Sequence, residues 1–182
     1  MPRVLEWIFF LYFVVHIPIG ILFDSQAVYP GWMYPTFVKD AVSWYGKTMK
    51  DPMMLEPPAW YQAFCMCEQF LQLPFFFAAA YAFYKGNCGW VRMPAIIYSA
   101  HVVTTLVAIL YHIAMHDFSQ SKYPGPSTMM ERLTLISIYL PFFVIPLLLL
   151  IVMVADEGYG SHASIKGPLQ PEPRRSLRLK KK

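Results

Sequence analysis

Residues 59–84 read AWYQAFCMCEQFLQLPFFFAAAYAFY, a nearly apolar run interrupted by one carboxylate, Glu68, and one proline, Pro74. A hydrocarbon core of about 30 Å takes about 20 helical residues to cross, and this run is long enough. On either side of it, three more runs of that kind stand at about residues 5–23, 94–115 and 133–154. Their lengths exclude half-buried strands, and the alternation of a transmembrane barrel is absent from them. Backbone groups in lipid must bond within their own segment, so each run is a helix. The expected architecture is an all-α membrane protein. Residues 1–155 are expected to form a four-helix transmembrane bundle with kinked helices around an internal cavity, and residues 156–182 a disordered basic tail.

The composition agrees with lipid as the solvent. With 57% hydrophobic, 17% aromatic and only 14% charged residues, the chain is too apolar for a soluble domain of its 182 residues. The net charge of +4 belongs to the tail, where Arg174, Arg175, Arg178, Lys180, Lys181 and Lys182 crowd together. No basic, aromatic-interleaved face stands elsewhere, which sets nucleic acid aside. Cys65 and Cys67 lie in an apolar run and Cys88 in a short loop, a spacing that suits packed thiols rather than a disulfide frame or a zinc site. Neither a cofactor nor a metal is expected. Leu5 to Phe23 reads as a retained first helix: it is long for a signal peptide, and no small-residue cleavage site follows.

Four spans put both termini on one side. Arg3, Lys85, Arg92, Lys166 and the six basic residues of the tail lie there; Lys39, Lys47, Lys50, Lys122 and Arg132 lie opposite. This bias places the termini in the cytosol. Trp7, Trp60, Tyr61, Tyr84 and Trp90, near span ends, suit interfacial belts. In the long first loop, Phe37, Val38, Val42, Trp44, Tyr45 and Met49 are spaced for a short amphipathic helix over the bundle or at the interface.

Several groups do not belong in lipid. Pro18, Pro74, Pro141 and Pro146 remove helical hydrogen bonds and predict kinks. Glu68 would cost several kcal/mol facing lipid and so faces the bundle interior, with Gln72 four residues on along the same face. His101, Thr105, Ala108 and His112 fall within about 60° of one another at about 100° per residue, a polar stripe on the third span. His16 reads as an interior hydrogen-bonding group. Asp24, at the end of span one, and Asp51, in Lys50-Asp51-Pro52, read from spacing alone as ordinary solvated acids. Folded over a cavity mouth, they would gather two or three carboxyl groups that share protons.

The stretches Glu6-Trp7, His16-Ile17-Pro18-Ile19, Lys50-Asp51-Pro52, Glu56-Pro57-Pro58-Ala59-Trp60, Gln72-Leu73-Pro74-Phe75-Phe76, Pro94-Ala95-Ile96-Ile97-Tyr98, Asp117-Phe118-Ser119 and Glu131-Arg132-Leu133-Thr134-Leu135 carry a resemblance. In them the chain resembles the sigma-2 receptor branch of the EXPERA family, which includes the emopamil-binding sterol isomerase. The resemblance runs from residue 6 to about residue 150. It implies an endoplasmic reticulum membrane receptor, with nuclear, lysosomal or plasma membranes as further sites. Such a receptor binds sterols or oxysterols and cationic amphiphilic amines and regulates cholesterol homeostasis. A lysosomal cholesterol transporter is its implied partner, membrane lipid its surroundings and a homodimer its implied assembly. The implied acidic ligand positions fall on Asp24 and Asp51, with Glu68 a third buried acid; Gln72, Thr105, Tyr139 and His16 complete the expected ligand-binding set. Phe142 stands where that branch implies a tyrosine. Asp24 would pair with the ligand cation or hydroxyl, Asp51 would orient Asp24, and Glu68, Gln72 and Thr105 would line the floor.

The competing class is an enzyme, a sterol double-bond isomerase using Glu68 and His101 as acid and base. The receptor branch implies no catalysis. Arg178 and Lys180, at the fifth and third places from the end, resemble a dibasic endoplasmic reticulum retrieval signal; a polybasic lipid contact is the other reading.

Overall fold

The computed structural model describes residues 1–159, which fold into helices joined by short connections, with no strand among them. Helix α1 is Arg3–Leu22, α2 is Thr36–Thr48 and α3 is Pro52–Leu55. They are followed by α4 (Ala59–Cys67), α5 (Leu73–Lys85), α6 (Arg92–Met115) and α7 (Met129–Ala155). Four stretches are long and apolar enough to cross a membrane: Arg3–Ala27, Ala59–Lys85, Gly89–Met115 and Met129–Ala155. They pack as a four-helix membrane bundle in which α1 lies along α5 and α6 along α7. The spans begin up to a turn earlier than hydropathy alone places them, and local chemistry explains why. Thr128 and Glu131 form a reciprocal capping box that starts α7 at Met129. Pro94 sits in the first turn of α6, where its missing N–H costs nothing.

The helix ends are closed by side chains, as orphan carbonyls inside a membrane require. Ser25 Oγ donates to Ile21 O and Gln26 Nε2 to Leu22 O, both at 2.6 Å, and turn α1 into a short 3-10 segment, Asp24–Ala27. Arg132 donates to Ile113 O at 2.5 Å and to His116 O at 2.8 Å, closing α6. At the other end of the bundle Arg92 Nε donates to Met153 O at 2.9 Å and to Asp156 O at 3.1 Å, closing α7.

Pro74 shapes the second span. It stands at the start of α5, and the turn before it, Glu68–Gln72, slips into π-helical register, with Leu73 N–H donating to Glu68 O. Pro18, Pro141 and Pro146 are instead accommodated within α1 and α7. The slipped turn directs polar groups inward. Gln69 Nε2 donates to Gly20 O at 2.9 Å and Gln72 Nε2 lies 3.0 Å from His101 Nδ1. Gly20 is where the two spans approach closely: a Cβ there would lie 3.0 Å from Glu68 Oε1.

Two aromatic-rich cores result. Toward the terminal end Phe9, Phe13, Phe76, Phe83, Tyr98 and Leu149 pack together; toward the loop end Met53, Tyr61, Cys65, Ile109, Ile113 and Leu135 do. Helix α2 is the amphipathic helix expected in the first loop. It buries Val38, Val42 and Gly46 against the loop-end elements and leaves Phe37 and Trp44 exposed. Tyr61, read from sequence as a belt residue, is buried, because its hydroxyl turns inward onto Met54 Sδ at 3.2 Å. The ordered bundle also runs past residue 155: Tyr159 is buried and donates to Glu6 at 2.7 Å. The rest of the expected tail, with Arg178 and Lys180, lies outside the described residues.

Candidate functional site

Between the two cores lies a cavity of about 350 Å³, lined by His16, Ile19, Phe23, Asp24, Tyr45, Met54, Tyr61, Phe64, Cys65, Glu68, Gln72, Val102, Thr105, Leu106, Ile109, Ile138, Tyr139 and Phe142. Six of the seven expected binding residues therefore reach one space: His16, Asp24, Glu68, Gln72, Thr105 and Tyr139. Two clefts at the loop end, of about 480 and 580 Å³, share Trp60, His112 and His116, and neither gathers a pair of acids. The inner cavity is the chemically distinctive one.

Its walls are apolar and aromatic, and its polar groups converge. Asp24 heads the 3-10 segment that ends the first span. Glu68 reaches in from the π-helical turn, and His16 Nε2 lies 3.5 Å from Glu68 Oε1, which nonetheless has no hydrogen-bond partner. One donor atom from each of His16, Asp24 and Glu68 lies within 4.8 Å of the other two. Among the described residues, no Lys or Arg lines the cavity. Two carboxyl groups this close, in a space of low dielectric, are compensated by a shared proton or by a cation.

The His16 ring is held from behind. Its Nδ1 lies 3.1 Å from Tyr12 Oη, which lies 3.0 Å from Tyr98 Oη, and all three side chains are buried. The ring also stacks on Phe76, with centroids 4.7 Å apart, and meets Phe142 at 4.9 Å. The wall where a tyrosine was implied is thus an apolar packing surface for the imidazole.

Asp51 is the expected residue that does not line the cavity. It is fully buried behind the wall: Tyr139 Oη donates to it at 2.7 Å, Tyr45 Oη at 3.4 Å, and the amides of Met53 and Met54 at 3.1 and 3.4 Å. Expected to orient Asp24, it makes no hydrogen bond to that residue among the described residues; it holds two tyrosines that line the cavity instead. Burial pushes the Asp51 carboxyl above its ordinary range, against the opposing pull of those hydrogen bonds. An ion pair between Lys50 and Glu131 pins its loop to the start of α7.

The polar stripe on α6 is divided. Thr105 faces the cavity, with its hydroxyl donating to Val102 O at 3.0 Å. His101 is engaged by Gln72 and does not line the cavity, so Glu68 and His101 are not brought together as an acid–base pair. His112 packs against Trp60, His116 and Phe118 at the loop end. Tyr45 and Tyr61, read from sequence as amphipathic-helix and belt residues, and Met54, which the sequence did not single out, also line the cavity. Tyr45 stands on α2, six residues before Asp51, and only the fold shows that α2 and α3 close over the cavity.

The family profile EXPERA (EXPanded EBP superfamily) matches residues 37–153. The chain belongs to the EXPERA family. Within it, Sigma intracellular receptor 2 of Xenopus tropicalis is 52% identical over 157 residues, 86% of this chain and 92% of that protein. The Homo sapiens protein of the same name is 49% identical over 160 residues, 86% of this chain and 91% of that one. Efficient mitochondria targeting-associated protein 19 of Saccharomyces cerevisiae is 31% identical over 152 residues, 78% of this chain and 92% of that protein. This EXPERA chain is thus similar along most of its length to proteins named as receptors, and the matched region includes Asp51, Glu68, Gln72, Thr105 and Tyr139.

Proposed function

We propose that this EXPERA protein is an intramembrane receptor whose cavity takes cationic amphiphilic amines and sterols or oxysterols. The observation that carries the reading is the pairing of Asp24 with Glu68 in an apolar chamber that no Lys or Arg among the described residues lines. A protonated amine entering it gains two carboxylate partners, with attraction of about 0.5–2 kcal/mol from each aromatic face it meets. Tyr45, Tyr61, Phe64 and Phe142 offer such faces. A steroid ring system fits the rest, since the walls are mainly aliphatic and aromatic and a hydroxyl finds a partner in Asp24 or Glu68. The relatives' name, Sigma intracellular receptor 2, supports a receptor. Asp24 is the counter-ion, Glu68 with Gln72 and Thr105 forms the floor, His16 and Tyr139 flank it, and Asp51 sets the two tyrosines.

The wider role is regulation of cholesterol homeostasis from the endoplasmic reticulum membrane, with cytosolic termini and a lysosomal cholesterol transporter as partner. Saturation binding of a tritiated cationic amphiphilic amine tests the core of this. Asp24→Asn is expected to weaken binding by about 1.5–3 kcal/mol, roughly 10- to 150-fold, the worth of a hydrogen bond to a charged group. Wild-type affinity in that variant overturns the reading. Restored sterol conversion in isomerase-deficient cells expressing this chain would overturn it from the other side.

A further inference from the structure

The His16, Asp24 and Glu68 triad is organised beyond what an amine requires. An ammonium needs carboxylates; it does not need an imidazole nitrogen turned toward them. Here a Tyr98–Tyr12 hydroxyl pair engages His16 Nδ1 and leaves Nε2 pointing at Glu68. Metal-binding histidines are held in this way, the far nitrogen fixed by an oxygen so that the near one faces the ion. Glu68 Oε1 is buried and without a hydrogen-bond partner, and Gln69, anchored on Gly20 O, holds the turn that presents it.

We propose that His16, Asp24 and Glu68 form a binding site for a divalent transition-metal ion, with zinc the best fit. The inference shares its two acids with the amine site and so rests on the same cavity. Donors mutually within 4.8 Å lie at most about 2.8 Å from a common centre, against about 2.0–2.2 Å for zinc with imidazole nitrogen and carboxylate oxygen. Each side chain therefore closes by less than about 1 Å. One nitrogen and two carboxylate oxygens suit zinc and its neighbours. Calcium, which takes about 6–8 oxygens, and magnesium, which keeps its waters, are poorly served. The fourth position opens into the cavity, where water or a ligand oxygen completes the tetrahedron. Metal and ammonium claim the same carboxylates, so they exclude one another.

The test uses the full chain purified in detergent, with ZnCl2 as probe. Calorimetric titration is expected to show one saturable zinc site, and zinc but not equimolar CaCl2 is expected to displace the tritiated amine competitively. His16→Gln and Glu68→Gln should each weaken zinc by at least ~10-fold while the circular dichroism spectrum is preserved. A second measurement needs no variant: bound Co2+ should give a visible tetrahedral absorption that saturating amine abolishes. The proposal is overturned by an absence of saturable zinc binding in protein that binds the amine, which leaves the receptor reading intact. It is equally overturned by cobalt absorption that persists under amine, or by zinc binding that survives both substitutions and disappears in a His112→Gln/His116→Gln double variant. Zinc binding without amine binding would sustain the metal site and remove the receptor reading.

Discussion

Asp51 is fully buried and hydrogen-bonded by two tyrosines and two backbone amides, which makes its charge state a matter of stability as well as of binding. Burial raises its pKa above the ordinary 3.8. The folded state thus holds this proton more tightly than the unfolded chain. Its contribution to stability is complete below the unfolded value and is lost as pH rises through the raised folded value. Melting curves from about pH 4 to about pH 8 should show the wild type losing ground to Asp51→Asn as pH rises; a constant gap would contradict the assignment. Tyr139→Phe removes the shortest of the bonds to Asp51 and should cost about 1–3 kcal/mol in the same assay. At this scale the sequence was a partial guide. Glu68 stood out because an acid in an apolar run must face inward. Asp24 and Asp51 looked like loop acids, and the family resemblance, not spacing, singled them out. Glu6 obeys the same logic as Glu68 but sits close enough to the first span's end to pass for a solvated group.

The π-helical turn at Glu68–Gln72 is the element that builds the cavity floor, and Gly20 is what lets it approach α1. Gly20→Ala adds a Cβ 3.0 Å from Glu68 Oε1, the mobile end of a side chain, so the carboxylate must shift while the fold need not. Alanine also gains up to about 1 kcal/mol of helix propensity over glycine. The variant should melt at or above the wild-type temperature yet bind the tritiated amine more weakly, and a parallel fall or rise in both would contradict this role. The four spans were legible in hydropathy to within about a turn because membrane thickness fixes their length. The slipped turn was not. Pro74 signals a disturbed helix, but the register change also depends on Gln69 and Gln72 finding partners on α1 and α6. Nor was the covering of the cavity by α2 and α3, which needs the Lys50–Glu131 ion pair to pin the first loop to α7.

Across the whole molecule, the terminal end is tied together by one buried carboxylate. Glu6 accepts from Arg3 at 2.8 Å, from the Asn87 amide at 2.7 Å and from Tyr159 at 2.7 Å, joining α1, the α5–α6 connection and the chain beyond α7. Glu6→Ala leaves these donors without their acceptor and should destabilise the protein by about 1–3 kcal/mol, read as a lower melting temperature in detergent. With that end fastened and the helix ends at the other closed by side chains, the bundle encloses a chamber that gathers two carboxyl groups, Asp24 and Glu68. Amine and sterol must therefore compete for one place. Native mass spectrometry of the purified chain tests this most directly. One sterol adduct per chain, displaced by the cationic amphiphilic amine and retained against it in Asp24→Asn, is the predicted result. Amine adding to the sterol-bound chain, or no stoichiometric adduct of either, would contradict it.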